Sequence, residues 1–450
     1  MSKMPHYTST TNACKLCKPL GASLAFRGIE GCVPFLHGSQ GCATYMRRYI
    51  ISHFNEPIDI ASSSLGEKHA VYGGAANLKL GLKNVTEKYH PKLIGLATTC
   101  LTETIGDDVP MILHEYRKKL GTEEMPEVVT VSTPSYSGTH MEGFNAAVHA
   151  IVQQLTQLAE PHDGINLLSG FISAADIRYL KELCQRFGIA ATLMPDYSDT
   201  LDGPALNDYP LIPTGGTPLE KIRKMGGARA TIELGATLPD RSAGTFLESH
   251  YHTKLTRLGL PIGIRATDAF LDLLQEVSNT VIPEYYRASR GRLIDAMVDG
   301  HKYIFGKRAV VYGEEDLVVG ITSFLAEIGI KPVLCATGGK SGRFKKAVEE
   351  ALSGLDCEIP EVREDVDFYD IENLAKELKV EILLGHSKGY AFARKENLPL
   401  VRVGFPIHDR VGGQRILHLG YHGAQRLFDT ITNTLIDKKQ SDSTVGYSYM

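Results

Sequence analysis

Apolar positions along the chain fall into two patterns. The first is a set of short continuous runs: CVPFLHG (32–38), PKLIGLATTC (91–100), PEVVTVSTPS (126–135), GINLLSGF (164–171), IAATLMPD (189–196), ARATIELGA (228–236), KRAVVYG (307–313), IKPVLCATGG (330–339), VEILLGH (380–386) and LPLVRVGFP (398–406). Runs of this length bounded by Gly and Pro predict strands buried on both faces. The second pattern is helical spacing, in CKPLGASLAFRGI, GCATYMRRYIISHF, GDDVPMILHEYRKKL, SAADIRYLKELCQRFG and EEDLVVGITSFLAEIG, and across most of 266–305. Strand and helix alternate, which predicts an α/β fold with parallel sheets flanked by helices. Three such units are expected, at 1–160, 161–305 (with a helical connector) and 306–410. Residues 411–450 hold an amphipathic helix, GYHGAQRLFDTITNTLIDKKQ, expected to pack back on the body or a partner. A polar, Tyr-containing tail follows it.

Composition narrows the function. The 450 residues exceed one ordinary domain, and 43% hydrophobic with 22% charged content is globular. A net charge of −4 gives no electrostatic reason to bind nucleic acid or an anionic membrane. No apolar run approaches the ~18 residues that span a bilayer. The opening MSKMPHYTSTTNAC lacks a signal-type apolar region, so the expected compartment is the cytoplasm. Nucleotide motifs fail: KPVLCATGGKS has Leu334 where a phosphate loop needs Gly, and no G-x-G-x-x-G follows a strand. No bound nucleotide is expected.

Five of the eight cysteines lie in the first hundred residues, and a reducing compartment leaves them as thiols, redox groups or metal ligands. Cys17, Cys42 and Cys100 each sit where a strand or turn meets a helix start. Backbone N–H groups and the positive helix end favour a thiolate there. The three read as iron–sulfur ligands, with glycines around Cys42 letting backbone approach a bulky group. Three thiolates leave a four-iron site one ligand short, to be supplied by this chain or another. Ser135 stands on the turn after the next strand, although a serine alkoxide is an unusual iron ligand and a turn hydroxyl is the plainer role. Cys14-Lys-Leu-Cys17 is also compatible with half a zinc site or a thiol redox pair, but no second C-x-x-C exists. Cys32, Cys184 and Cys335 read as core residues. His37 and His53 read as hydrogen-bonding histidines. Arg47 and Arg48 offset cluster charge or face solvent. Glu103, Asp107 and Asp108 read as caps of the helix after Cys100.

Further motifs occur in order: C-K-P-L-G-A, H-G-S-Q-G-C, S-H-F-x-E-P, V-Y-G-G-x-x-N, T-T-C-L-x-E-T-I-G-D-D-V, and later V-R-V-G-F-P-I-x-D-R and G-Y-H-G. Together they resemble the β-type subunits of nitrogenase component 1 over nearly the whole chain. The resemblance implies three Rossmann-like domains and an α2β2 heterotetramer with an α-type subunit. It implies a P-type [8Fe-7S] cluster at the αβ interface, with [4Fe-4S] as the smaller alternative. Cys17, Cys42, Cys100 and Ser135 match the family's ligand positions, at intervals of 25, 58 and 35 residues, with coordination by Ser135 expected to depend on oxidation state. ATP hydrolysis would belong to a separate iron protein that passes electrons to the cluster. The alternative within the same superfamily is the N-type subunit of the cofactor-assembly scaffold, which the short N-terminus and the phrase LAFRGIEGCVPFLHGSQGCATYMRRYIISHF resemble. Retention of the whole cysteine set favours the working reductase.

Overall fold

The structure, a computed structural model, describes residues 12–120 and 125–446. The polar tail's last residues, 447–450, and the opening 1–11 lie outside them. Among the described residues thirteen strands form three sheets, all of them parallel. The first sheet has the order β2-β1-β3-β4, with β1 Cys32–His37, β2 Ala61–Ser62, β3 Leu93–Thr98 and β4 Glu127–Val131. The second runs β6-β5-β7-β8, with β5 His162–Leu168, β6 Ala191–Met194, β7 Ala228–Leu234 and β8 Lys254–Leu258. The third is β11-β10-β9-β12-β13, with β9 Arg308–Tyr312, β10 Lys331–Ala336, β11 Glu361–Arg363, β12 Ile382–Gly385 and β13 Leu400–Arg402. Every residue of β1 and β3 is buried, which is why those segments read as unbroken apolar runs.

Each sheet doubles back, so strands on either side of its switch point leave a crevice at their carboxyl ends, the usual ligand position in open α/β sheets. In the first sheet the switch lies between β1 and β3, which pair from Cys32–Leu93 to His37–Thr98. The helices that follow these strands begin with side-chain caps. Ser39 Oγ accepts from Gly41 N ahead of Gln40–Phe54. Thr99 forms a capping box for Cys100–Ile105, and Thr139 with Glu142 forms another for His140–Leu155. The helix predicted over 106–120 is present from Val109, and a separate short helix, Cys100–Ile105, precedes it. Gly106 (φ 77°) ends Cys100–Ile105 in the left-handed region, and Asp108 Oδ1 then accepts from Met111 N to start Val109–Leu120.

One apolar core runs through all three units, with satellites on the outer faces of the first and third sheets. Buried polar pairs cross the joins. His140 Nε2 lies 3.1 Å from Glu314 Oε1, His418 Nδ1 lies 2.9 Å from Asp176 Oδ2, and His53 Nδ1 accepts from Ile407 N at 2.9 Å. The C-terminal helix Gly420–Asp442 packs against Glu284–Ile304, where a Cβ on Gly300 would lie 2.5 Å from the Phe428 ring. Among the described residues no helix is long and apolar enough to cross a membrane.

Candidate metal centre

Topology carries three of the four expected site residues to one edge. Cys42 follows β1, Cys100 follows β3 and Ser135 follows β4, so all three emerge at the carboxyl ends of neighbouring strands. Cys42 is in the first turn of its helix and Cys100 opens its own, while Ser135 begins a short 3-10 turn, Ser135–Ser137. Two close approaches fix the spacing of the two cysteine loops. A Cβ on Gly38 would lie 2.1 Å from Thr99 Oγ1, and Thr102 Oγ1 donates to His37 O at 2.9 Å.

Cys17 arrives by a different route. It is the N-cap of Lys18–Arg27, a helix that crosses His140–Leu155 backbone to backbone. A Cβ on Gly21 would lie 1.7 Å from His140 O, and one on Gly143 would lie 1.8 Å from Lys18 O. Only glycine permits that crossing. Cys17 also bridges Thr139, and His140 N donates to Leu16 O at 3.0 Å.

Ser135 links these elements. Its N–H donates to Cys100 Sγ at 3.2 Å, and its Oγ accepts from Lys18 N, the residue after Cys17, at 3.2 Å. Burial raises the Cys42 thiol pKa, and the charges of Cys17 and Cys100 raise it further, so the three sulfurs share one electrostatic neighbourhood. Two ammonium groups stand nearby, one on the Ser135–Ser137 turn and one facing Cys17. Lys18 Nζ donates to Ser137 Oγ at 3.0 Å, and its pKa is lowered by burial against the opposing pull of Glu142 and Glu103. Lys388 reaches across from the third sheet and donates to Ala13 O at 2.7 Å and Lys15 O at 3.1 Å. Its pKa is lowered by burial and supported by Cys14 and Cys17.

The remaining candidates resolve individually. Cys14 is buried against His386 Nε2 at 3.6 Å, burial pushes its thiol up to about 12, and Cys14 and Cys17 are both free thiols. Cys32, Cys184 and Cys335 lie in the core as expected. His37 is buried between Ser63 Oγ (2.9 Å) and Asp107 Oδ2 (3.0 Å). Of the three acidic residues read as caps, only Asp108 caps its helix. Asp107 accepts from Gly74 N as well as facing His37, and Glu103 accepts from Ser132 Oγ at 2.6 Å. Arg47 donates to Ile58 O at 2.7 Å, and Arg48 is exposed. Sequence reasoning passed over Lys388 and Lys18. Lys18 adjoins Cys17, whereas nothing in the sequence links Lys388 to the Ala13–Lys15 segment more than 370 residues away.

The donor set suits an iron–sulfur group better than one ion. Among the described residues no three His, Cys, Asp or Glu side chains converge closely enough to hold a single metal ion. The three thiols instead line an open edge: Cys17 and Cys42 are half-buried and Cys100 is exposed. Exposed Tyr45 and Tyr136 flank it.

A thiol-lined edge on a three-sheet parallel α/β body defines a class, and comparison places the chain within it. Residues 17–436 match the family of nitrogenase component 1 type oxidoreductases, and the chain belongs to that family. It is 37% identical to the nitrogenase molybdenum-iron protein beta chain of Clostridium pasteurianum, over 96% of this chain and 94% of that one. It is 34% identical to the nitrogenase vanadium-iron protein beta chain of Trichormus variabilis, over 93% and 92%. A solved chain of nitrogenase Cp1 at pH 6.5 superposes with a TM-score of 0.94 at 35% identity, covering 98% of this chain and 97% of that one. The chain is therefore a β-type subunit of component 1, a subunit of an oxidoreductase complex.

Proposed function

We propose that the chain is the electron-relay subunit of a nitrogenase-like reductase, holding a P-type [8Fe-7S] cluster shared with an α-type subunit in an α2β2 assembly. An ATP-dependent iron protein delivers the electrons. Cys17, Cys42 and Cys100 are the ligands, and Ser135 joins them in an oxidised state. The observation that carries this reading is the convergence of Cys17, Cys42, Cys100 and Ser135 on one open edge. A half-exposed set of three thiols is incomplete alone and suits a group completed by a second chain.

When bound, the cluster supplies reversible electron storage. The chain's own residues then have defined tasks. The Ser135 N–H holds a hydrogen bond to Cys100 Sγ, which spreads negative charge and tunes potential. Lys388 supplies positive charge beside Cys17, and Lys18 places its ammonium on the Ser135–Ser137 turn. The Gly21–Gly143 crossing sets the height of Cys17.

Anaerobic purification with the α-type partner tests the reading. Independent substrate turnover together with an eight-iron signature supports it. Transfer of a cofactor precursor to apo-nitrogenase without turnover would support the scaffold subunit instead.

A further inference from the structure

Three motifs of the first unit meet at a point that holds none of the proposed ligands. His37 comes from H-G-S-Q-G-C, Gly74 and Asn77 from V-Y-G-G-x-x-N, and Asp107 from T-I-G-D-D-V. The His37 ring is buried, with Nε2 3.0 Å from Asp107 Oδ2 and Nδ1 2.9 Å from Ser63 Oγ. A carboxylate only accepts, so Nε2 carries the ring proton and Nδ1 accepts from Ser63. Ser63 Oγ in turn accepts from Gly38 N at 2.9 Å, and Asn77 Nδ2 donates to Ser63 O at 3.0 Å. Gly74 N donates to both Asp107 oxygens, at 3.1 and 3.0 Å. A Cβ on Gly74 would lie 2.5 Å from Asp107 Oδ2 and 2.8 Å from His37 Cε1, so the network closes on glycine.

The same network returns to the cysteine loops. Thr102 Oγ1 and Thr99 N donate to His37 O at 2.9 and 3.1 Å, and Asp107 N donates to Thr102 O at 3.1 Å. His37, Thr102 and Asp107 thus close a ring of hydrogen bonds around the Gly106 end of the helix Cys100–Ile105. That ring stands on His37, whose next residue, Gly38, begins the turn leading to Cys42.

We propose that the His37–Asp107 pair positions the cluster ligands, fixing the Cys100 helix against the Cys42 loop and so the spacing of those two sulfurs. The assignment rests on the reading of Cys42 and Cys100 as ligands. Both residues of the pair act through backbone and not as ligands themselves. Hydrogen bonds to ligand sulfur, such as that from Ser135 N to Cys100 Sγ, depend on where the Cys100 helix sits, and they tune cluster potential.

The test compares variants of the complex, purified anaerobically with the α-type partner, by iron analysis, redox titration and thermal melting. His37→Phe keeps the bulk of the ring and removes both ring hydrogen bonds. It should retain the wild-type iron content and change the oxidised-to-reduced ratio at a fixed potential about tenfold, a midpoint shift of about 59 mV for one electron. His37→Gln, whose amide can still donate to Asp107, should restore most of the wild-type midpoint. Gly74→Ala drives a Cβ into Asp107 and His37 from a third segment; it should also shift the midpoint, and it serves if His37→Phe fails to fold. A lowered melting temperature with an unchanged midpoint would confine the pair to holding the fold and overturn the assignment, as would His37→Gln shifting as far as His37→Phe. A wild-type complex without interface iron would overturn the ligand reading and this assignment with it.

Discussion

The carboxyl ends of the first and third sheets are built from the same topology and are used in opposite ways. In the first, the loops after β1, β3 and β4 bring Cys42, Cys100 and Ser135 to an open edge. In the third, the loops after β9 and β12 bring Glu314 and His386 inward, where both are buried. Glu314 accepts from Phe405 N at 3.2 Å and pairs with His140, which belongs to the helix crossing under Cys17. His386 backs Cys14, three residues ahead of Cys17. Strand order thus creates two equivalent crevices, and residue type decides their roles. Thiols facing outward leave bonding capacity for a metal group, whereas the inward Glu314 carboxylate is taken up by His140 and Phe405 N, and His386 turns its Nε2 to Cys14.

Removing a ligand should break the first edge most completely. Cys100→Ala is expected to purify with the α-type partner but to lose most of its interface iron, measured by iron analysis and absorption. Normal iron content in that variant would remove Cys100 from the ligand set.

The next largest effect is expected at the crossing that sets Cys17. Gly143→Val drives a side chain into Lys18 O and should destabilise the fold by on the order of 3 kcal/mol, with iron lost in parallel. Thermal melting of the apo and loaded complexes measures both.

The inward edge should respond to acid instead. Burial holds the folded pKa of His53 at about 3 and of His386 at about 4. An unfolded histidine titrates near 6.5, so below about pH 6.5 the unfolded state takes up protons that the folded state refuses. Stability should therefore fall as pH drops from about 6.5 toward 4. Glu314 and Asp176 have folded pKa values lowered by their histidine partners against burial, so their contribution persists above the ordinary carboxylate range and is lost below it. Denaturant titrations across this range should give a shallower acid slope for His53→Gln.

A smaller effect should appear where the two edges meet. Lys388→Met removes a positive charge beside Cys17 and should lower the cluster midpoint potential by tens of millivolts, while Lys388→Arg should restore most of it. An unchanged potential in a redox titration would confine Lys388 to bracing the Ala13–Lys15 segment.

Much of this was legible in sequence where burial leaves a simple signature. β1 and β3 are covered on both faces and read as unbroken apolar runs. β8, Lys-Leu-Thr-Arg-Leu, was not read because it is an edge strand with exposed and half-buried positions. The helix Ala75–Tyr89 was missed because only Leu78, Leu82 and Val85 are buried, too thin a stripe after two glycines. At the site, the cysteines stood out through their positions at helix starts. Ser135 gained its weight from the family resemblance and has no compositional signal. Lys388 and the glycine crossing were invisible, because each depends on a contact between segments remote in sequence.

The most direct measurement is iron quantitation with Mössbauer spectroscopy on the anaerobically purified complex, wild type beside Cys100→Ala. About eight irons per αβ pair in one coupled cluster, lost in the variant, is the expected result. Four irons at the interface, or a colourless complex with free thiols at Cys17, Cys42 and Cys100, would contradict it.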